Sequence, residues 1–390
     1  MATSVIGFFA TLVMMRLMSP EEYGRISLFL SMQFIAVPLI SFSADGIFAV
    51  NKSKLHSSEY EKFKNSYITF SYLMFILIQI LFFLLYLANF FHDKLLLLIP
   101  FVGIIRFLIG MASTEFIMEE KSVKYGMIAF FSTLTSLTLT VIALNIFSGV
   151  ADWRVFSLLL ADILFLLIRY RGQLKILWTF SFDIKIFKKI ILFGYPLLLS
   201  VPPAWALNES DKFIVSRYLN MTSLGQYAAA CAIGGIMITF NTAMLNSFMP
   251  KIYFALSNRS FTMLEVVKQY IVKFFAITII FGACFIFFYW LVADLILPEK
   301  YIAAREIVYV VIIFSLGRAL YSVLGLVADF YGMTMVKFRG IMYGGLAAMI
   351  FTLIGVLKIG VIGAAVGVGS GYFVLSYVLW IALREKTEKF

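Results

Sequence analysis

The 390-residue chain is 62% hydrophobic and only 14% charged, with a mean hydropathy of +0.97 and a formal net charge of +11. Soluble domains are about half apolar and about a quarter charged, so this chain has too few charged residues to cover a water-facing surface, and a soluble globular protein is excluded. Lipid accepts an apolar exterior but demands that backbone N–H and C=O groups bond within the protein, which leaves helices or a closed barrel; runs such as 73–91 and 271–292 are continuous rather than alternating, so helices are expected.

Twelve apolar stretches follow one another, near 2–18, 26–48, 66–90, 95–117, 126–148, 155–170, 190–208, 222–247, 270–293, 303–328, 339–357 and 361–383. The fold class expected is therefore an all-α polytopic membrane protein with about 12 transmembrane helices. The opening Met1-Ala2-Thr3-Ser4 lacks the basic region of a signal peptide, so the first stretch reads as a span, and a short one. Lysine and arginine resist translocation and set orientation. With both termini cytoplasmic, 21 of the 32 Lys and Arg residues fall in inner segments, 8 in outer ones, and Arg106, Lys212 and Arg318 within spans. Inner loops carrying Arg169, Arg171, Lys188 and Lys189 would lie against anionic headgroups of membrane lipids. That accounts for the positive charge without a nucleic-acid partner, for which no soluble domain or aromatic–basic interleaving exists.

Cys231 and Cys284 lie inside predicted spans without partner spacing, which argues against disulfides, a metal site or a redox cofactor. His56 and His92 stand singly in loops, and no paired-carboxylate arrangement or nucleotide-binding motif is present, so no enzyme, no cofactor and no ATP-driven step are expected.

The chain also repeats itself. Arg16-Leu17-Met18-Ser19-Pro20-Glu21-Glu22-Tyr23-Gly24 aligns with Arg217-Tyr218-Leu219-Asn220-Met221-Thr222-Ser223-Leu224-Gly225 at an offset of 201, each between two spans. A second echo pairs Ile105-Arg106-Phe107-Leu108 and Thr114-Glu115-Phe116 with Gly317-Arg318-Ala319-Leu320 and Ala328-Asp329-Phe330. Two six-helix bundles of parallel topology are expected, 1–170 and 190–390, joined by a basic cytoplasmic linker at 171–189. Subtracting the offset from the start of the seventh span, near Ile190, places its counterpart's start before Met1, so the first span is short beside its repeat.

The 16–24 segment resembles the Wzx-type oligosaccharide and polysaccharide flippases of the multidrug/oligosaccharidyl-lipid/polysaccharide exporter superfamily. So does the stretch from Phe193-Gly194-Tyr195-Pro196 through Asn208-Glu209-Ser210-Asp211-Lys212 to Leu224-Gly225-Gln226-Tyr227. The resemblance covers nearly the whole chain, the short first span being a departure. It implies transfer of undecaprenyl-diphosphate-linked oligosaccharide repeat units across a bacterial inner membrane to the periplasmic leaflet, for O-antigen, capsule or exopolysaccharide synthesis. A polysaccharide polymerase and a chain-length regulator are its expected neighbours.

Candidate residues follow from cost. An ionisable group inside a span is expensive unless it faces protein or a hydrated cavity. Arg106 and Arg318 hold equivalent mid-span positions, and their planar donor forks suit a diphosphate; the plainer reading is that each neutralises an acid. Asp162 is the one charge deep in the sixth span, read as counter-ion or proton site. Arg318 and Asp329, eleven residues apart, fall on one helical stripe, whereas Glu115 points away from Arg106 and reads as a packing group. Asp45 completes the acidic candidates within spans. In the seventh span Pro196, Pro202 and Pro203 are expected to break the helix beside Asn208, Glu209, Asp211 and Lys212, which otherwise read as an outer loop.

The mechanism expected is alternating access of two bundles around a cationic cavity. A diphosphate with about two negative charges gains roughly 4–5 kcal/mol per 100 mV of inside-negative potential when it crosses the full field. The alternatives are a multidrug or cation antiporter of the same superfamily, which calls for an acidic, aromatic cavity, and an integral-membrane polymerase, which calls for a substantial catalytic loop.

Overall fold

The computed structural model describes residues 2–42, 44–90, 92–147, 150–171, 180–257 and 263–387, which are helical almost throughout and contain no β-strand. In chain order the helices are α1 (Ala2–Leu17), α2 (Pro20–Ser41), α3 (Ala44–Lys54), α4 (Ser57–Leu87), α5 (Ile99–Met118), α6 (Ser122–Ile146), α7 (Ala151–Arg169), α8 (Ile184–Leu198), α9 (Val201–Asn208), α10 (Ser210–Tyr218), α11 (Met221–Ser257), α12 (Met263–Ile296), α13 (Ala304–Phe330), α14 (Thr334–Ile359) and α15 (Val361–Thr387). Among the described residues, ten stretches are long and apolar enough to cross a membrane, the shortest of 24 residues. At 1.5 Å per residue even that one exceeds the ~30 Å hydrocarbon core. The protein is a polytopic α-helical membrane protein. Of the twelve stretches expected, the first and sixth fall outside the ten: α1 is short, and α7 carries Asp152, Arg154, Asp162 and Arg169.

The chain divides into two compact units, Met1–Met18 with Leu28–Pro202, and Ser19–Ser27 with Pro203–Phe390. The division falls at the proline pair of the seventh span, where expectation placed the boundary in the linker at 171–189. The proline-broken helix explains this, because its two parts pack on different partners. Before the break, a Cβ on Gly194 of α8 would strike Phe42, and Lys189 donates to Asn51 Oδ1 at 2.6 Å. After it, Asn208 of α9 bonds Tyr372 of α15.

Within the first unit, α4 packs through an aromatic core in which Tyr67, Phe48, Phe63 and Phe107 are buried. Phe42, at φ 48°, ends α2, and the Tyr67 hydroxyl donates to the Ser41 and Phe42 carbonyls at 2.8 and 3.3 Å. Backbone acceptors freed by the break thus find a donor where water is scarce. One end of the unit is tied by Glu115, which is 4% exposed and accepts from Lys64 Nζ at 3.0 Å and Arg169 Nη2 at 2.9 Å. That gives Glu115 the packing role its position suggested. Asp183 caps α8, accepting from the N–H of Lys185 at 2.9 Å and of Ile186 at 3.3 Å. Its bond to Lys62 and those backbone donors hold its carboxyl below the usual carboxylate range.

In the second unit α13, α14 and α15 pack around buried Ala348, Tyr372, Leu375 and Leu379. Lipid supplies no hydrophobic drive between helices, so close backbone approach carries the packing. Gly344 and Gly371 show it: a Cβ on Gly344 would come 2.9 Å from the Gly371 carbonyl oxygen, and one on Gly371 2.6 Å from that of Gly344.

Candidate functional site

The seventh span is three helices rather than one. Pro196 lies inside α8, while Pro202 and Pro203 occupy the first turn of α9, where backbone N–H groups have no helical partner to lose. The helix breaks again at Glu209, whose φ of −135° and ψ of −12° separate α9 from α10. The polar run 208–212 therefore flanks a break between helices, and the outer-loop reading is set aside because Ser210–Tyr218 is helical.

A cavity of about 240 Å³ within the second unit opens against this break. Asn208, Glu209, Asp211 and Lys212 form one side, Tyr227 and Cys231 of α11 a second, Phe314 and Arg318 of α13 a third, and Tyr372 of α15 a fourth. Four predicted residues, Asn208, Asp211, Lys212 and Arg318, are thus brought together. Most of the polar groups are engaged. Asn208 donates to the Ala204 carbonyl at 2.7 Å and accepts from the Tyr372 hydroxyl at 2.6 Å. Lys212 Nζ pairs with Glu209 Oε2 at 2.6 Å, and the Tyr227 hydroxyl donates to Asp211 Oδ2 at 2.5 Å.

Arg318 differs. Its guanidinium lies 5.5 Å from the centroid of the Tyr372 ring, and it has no ion-pair partner among the described residues. A guanidinium held over a ring face keeps its planar donor fork oriented without tying it up in an ion pair. The lining offers such a cation to an incoming anion, with Lys212 already neutralised by Glu209.

Arg106 is in a different position. In the first unit its Nε lies 3.0 Å from Asp162 Oδ2, the arginine side chain being 41% exposed and the aspartate 10%. Asp162 is therefore the counter-ion of Arg106. Asp329 is a correction: it ends α13, pairs with Lys337 Nζ at 2.7 Å and does not line the cavity with Arg318. The shared stripe is real, but eleven residues carry Asp329 about 16 Å along the axis, to the last turn of the helix. The side chain of Asp45, in the first turn of α3, lies outside the described residues.

Tyr372 and Tyr227 were not singled out in the sequence as site residues. Tyr227 closes the Leu224-Gly225-Gln226-Tyr227 run, which marked it for its motif alone; Tyr372 carries no local signal, being one of 20 tyrosines in an apolar chain.

Residues 13–271 match the family model described as polysaccharide biosynthesis protein. The chain belongs to this family. No curated protein matches its sequence. Solved structures share the fold of this polysaccharide biosynthesis protein across nearly its full length. The lipid II flippase MurJ, in an inward closed conformation, is similar with a TM-score of 0.76 at 17% identity, over 98% of this chain and 87% of that one. An inward-facing multidrug resistance MATE family transporter of the MOP superfamily is similar with a TM-score of 0.74 at 14% identity, over 99% and 95%. A MATE structure in a straight conformation gives 0.54 at 15% identity, over 100% and 93%. At such identities the likeness establishes the fold alone, the one shared by MurJ and the MATE structures.

Proposed function

We propose that this chain is a flippase that moves undecaprenyl-diphosphate-linked oligosaccharide units from the cytoplasmic to the periplasmic leaflet of a bacterial inner membrane, both termini being cytoplasmic. Family membership and the flippase-type fold support lipid-linked glycan transport, and the lysine and arginine distribution supports the orientation. The observation that carries the reading is Arg318: a cation without an ion-pair partner among the described residues, lining a cavity inside a helix bundle. We assign it to the diphosphate, with Asn208, Asp211 and Lys212 around it. In the first unit Arg106, partly exposed beside Asp162, is the second candidate. A cation placed beside Arg318 meets like charge, and the lining, with two carboxylates and two cations, has no net negative charge to draw it in.

Complementation tests the reading. Cells lacking the chain should accumulate lipid-linked repeat units on the cytoplasmic face, and the wild-type gene should clear them. Arg318→Ala, expressed and folded, should fail to do so. Normal clearance by that variant removes the arginine from the mechanism; drug resistance that tracks expression, without any change in lipid-linked sugar, removes the glycan itself.

A further inference from the structure

Away from this cavity, α11, α13 and α15 begin and α12 and α14 end at the opposite side of the second unit from its basic loops. Two hollows adjoin there, of about 520 and 240 Å³, and both are lined by Ile302 and Arg305. The larger has walls of Ile307, Ile359 and Val361 with Glu306 among them; the smaller adds Asp294 and Glu299.

The frame around Arg305 is fixed. Gln226, 9% exposed, donates to the Lys300 carbonyl at 2.7 Å and accepts from the Ala304 N–H at 3.1 Å, so both ends of its amide are used in holding the turn before α13. Tyr301 is wholly buried and meets Tyr23 edge to face at 6.0 Å. On this base Arg305 pairs, among the described residues, with a well-hydrated carboxylate: its Nη1 lies 2.8 Å from Asp294 Oδ1, whose side chain is 85% exposed. Exposed pairs of this kind contribute about 0–1 kcal/mol, so a ligand phosphate exchanges with it readily.

We infer that this groove is a binding site for an aminophospholipid headgroup, that of phosphatidylethanolamine. The site lies where spanning helices end, the depth of headgroups. Its apolar walls include Ile302 and Ile359, 69% and 56% exposed, which suit the start of an acyl chain. Its charged lining is one arginine against three carboxylates, Asp294, Glu299 and Glu306. A headgroup that is only anionic meets net repulsion there. A zwitterion places its phosphate on Arg305 and its ammonium among the acids. A primary ammonium presents N–H donors to those carboxylates, and the quaternary ammonium of phosphatidylcholine presents none. The inference needs only the membrane location, so it stands or falls separately from glycan transport.

The test is lipid retention by the full-length protein, delipidated in detergent and offered equal amounts of phosphatidylethanolamine, phosphatidylglycerol and phosphatidylcholine, with bound lipid read by native mass spectrometry. Wild type should retain phosphatidylethanolamine about tenfold over either competitor, the scale of one or two charge-assisted hydrogen bonds. Arg305→Ala should lower retention of phosphatidylethanolamine itself about tenfold, and Arg305→Lys should keep part of it. Glu299→Gln with Glu306→Gln should remove discrimination against phosphatidylglycerol, which serves as the readout if Arg305→Ala does not fold. Equal retention of the three lipids by wild type, a preference for phosphatidylglycerol, unchanged retention of phosphatidylethanolamine by folded Arg305→Ala, or an unchanged ratio in the double glutamine variant would overturn the assignment.

Discussion

A Cβ on Gly24 would run into the carbonyl oxygen of Met221, and a Cβ on Gly225 into that of Pro20. The glycines are 201 residues apart in matching segments, and so are Pro20 and Met221, so the contact is reciprocal: each helix start offers the other the same surface, as in an isologous two-fold interface. Gly24→Ala and Gly225→Ala are each expected to cost about 1–3 kcal/mol through forced separation of backbones, although alanine is the better helix former by about 1 kcal/mol. Gly235→Ala, in a helix where nothing lies within 4 Å of the added carbon, should be neutral or mildly stabilising. The double variant Gly24→Ala with Gly225→Ala should cost less than the two losses added, because one separation serves both. Thermal unfolding in detergent reads all four; equal midpoints for Gly225→Ala and Gly235→Ala would remove the crossing.

The repeat behind that crossing, though not the crossing itself, was visible in the sequence because turn chemistry leaves a mark: a small polar residue and a closing glycine stand out between apolar spans. The same contrast made Arg106, Arg318 and the proline-rich seventh span visible. What stayed hidden is which face of each helix turns inward. A helix that is apolar nearly all round carries no amphipathic stripe to orient it. Asp162 could therefore be named but not assigned to Arg106, Tyr372 could not be told from other tyrosines, and Asp329 was grouped with Arg318 on register alone, when its partner, Lys337, lies on the next helix.

Glu115 neutralises two cations at once, and Lys64 beside it has a side chain only 4% exposed. Removing one partner of a buried pair costs about 3–5 kcal/mol when it strands the other; without Glu115, Lys64 keeps the half-exposed Glu61, 3.2 Å from its Nζ, whereas replacing both by apolar groups is often near neutral. Glu115→Gln should therefore lower stability markedly, and adding Lys64→Met should restore much of it, since Arg169 retains access to solvent. Denaturant titration separates the cases. A Glu115→Gln protein as stable as wild type would mean that the carboxylate is not the tie between α4, α5 and α7.

The Arg106–Asp162 pair is asymmetric, and the asymmetry is measurable. Arg106 is 41% exposed and Asp162 10%, so the aspartate depends more on its partner. Arg106→Ala leaves a mostly enclosed carboxylate without its charge partner, while Asp162→Ala leaves an arginine able to reach polar surroundings. The first variant should be the less stable, and the double variant less damaged than the sum of the singles by about 1 kcal/mol or more. Equal losses in the singles, or strict additivity, would show that the pair is not coupled.

Arg318 and Tyr372 allow the ring and the hydroxyl to be tested apart. Tyr372→Phe keeps the aromatic face under the guanidinium but removes the donor to Asn208 Oδ1, 2.6 Å away. Tyr372→Leu removes both. If the ring orients Arg318 toward a diphosphate, Tyr372→Leu should reduce transport of lipid-linked oligosaccharide by about 3–30-fold, the range of a desolvated cation–π contact, and Tyr372→Phe by less. Arg318→Lys should fall between wild type and Arg318→Ala, since it keeps the charge and loses the planar fork. The readout is the initial rate in proteoliposomes against substrate concentration, with thermal unfolding as a folding control. A Tyr372→Phe loss as large as that of Tyr372→Leu would move the role from the ring to the Asn208 bond. Wild-type rates in all four variants would mean that the anion does not visit this cavity.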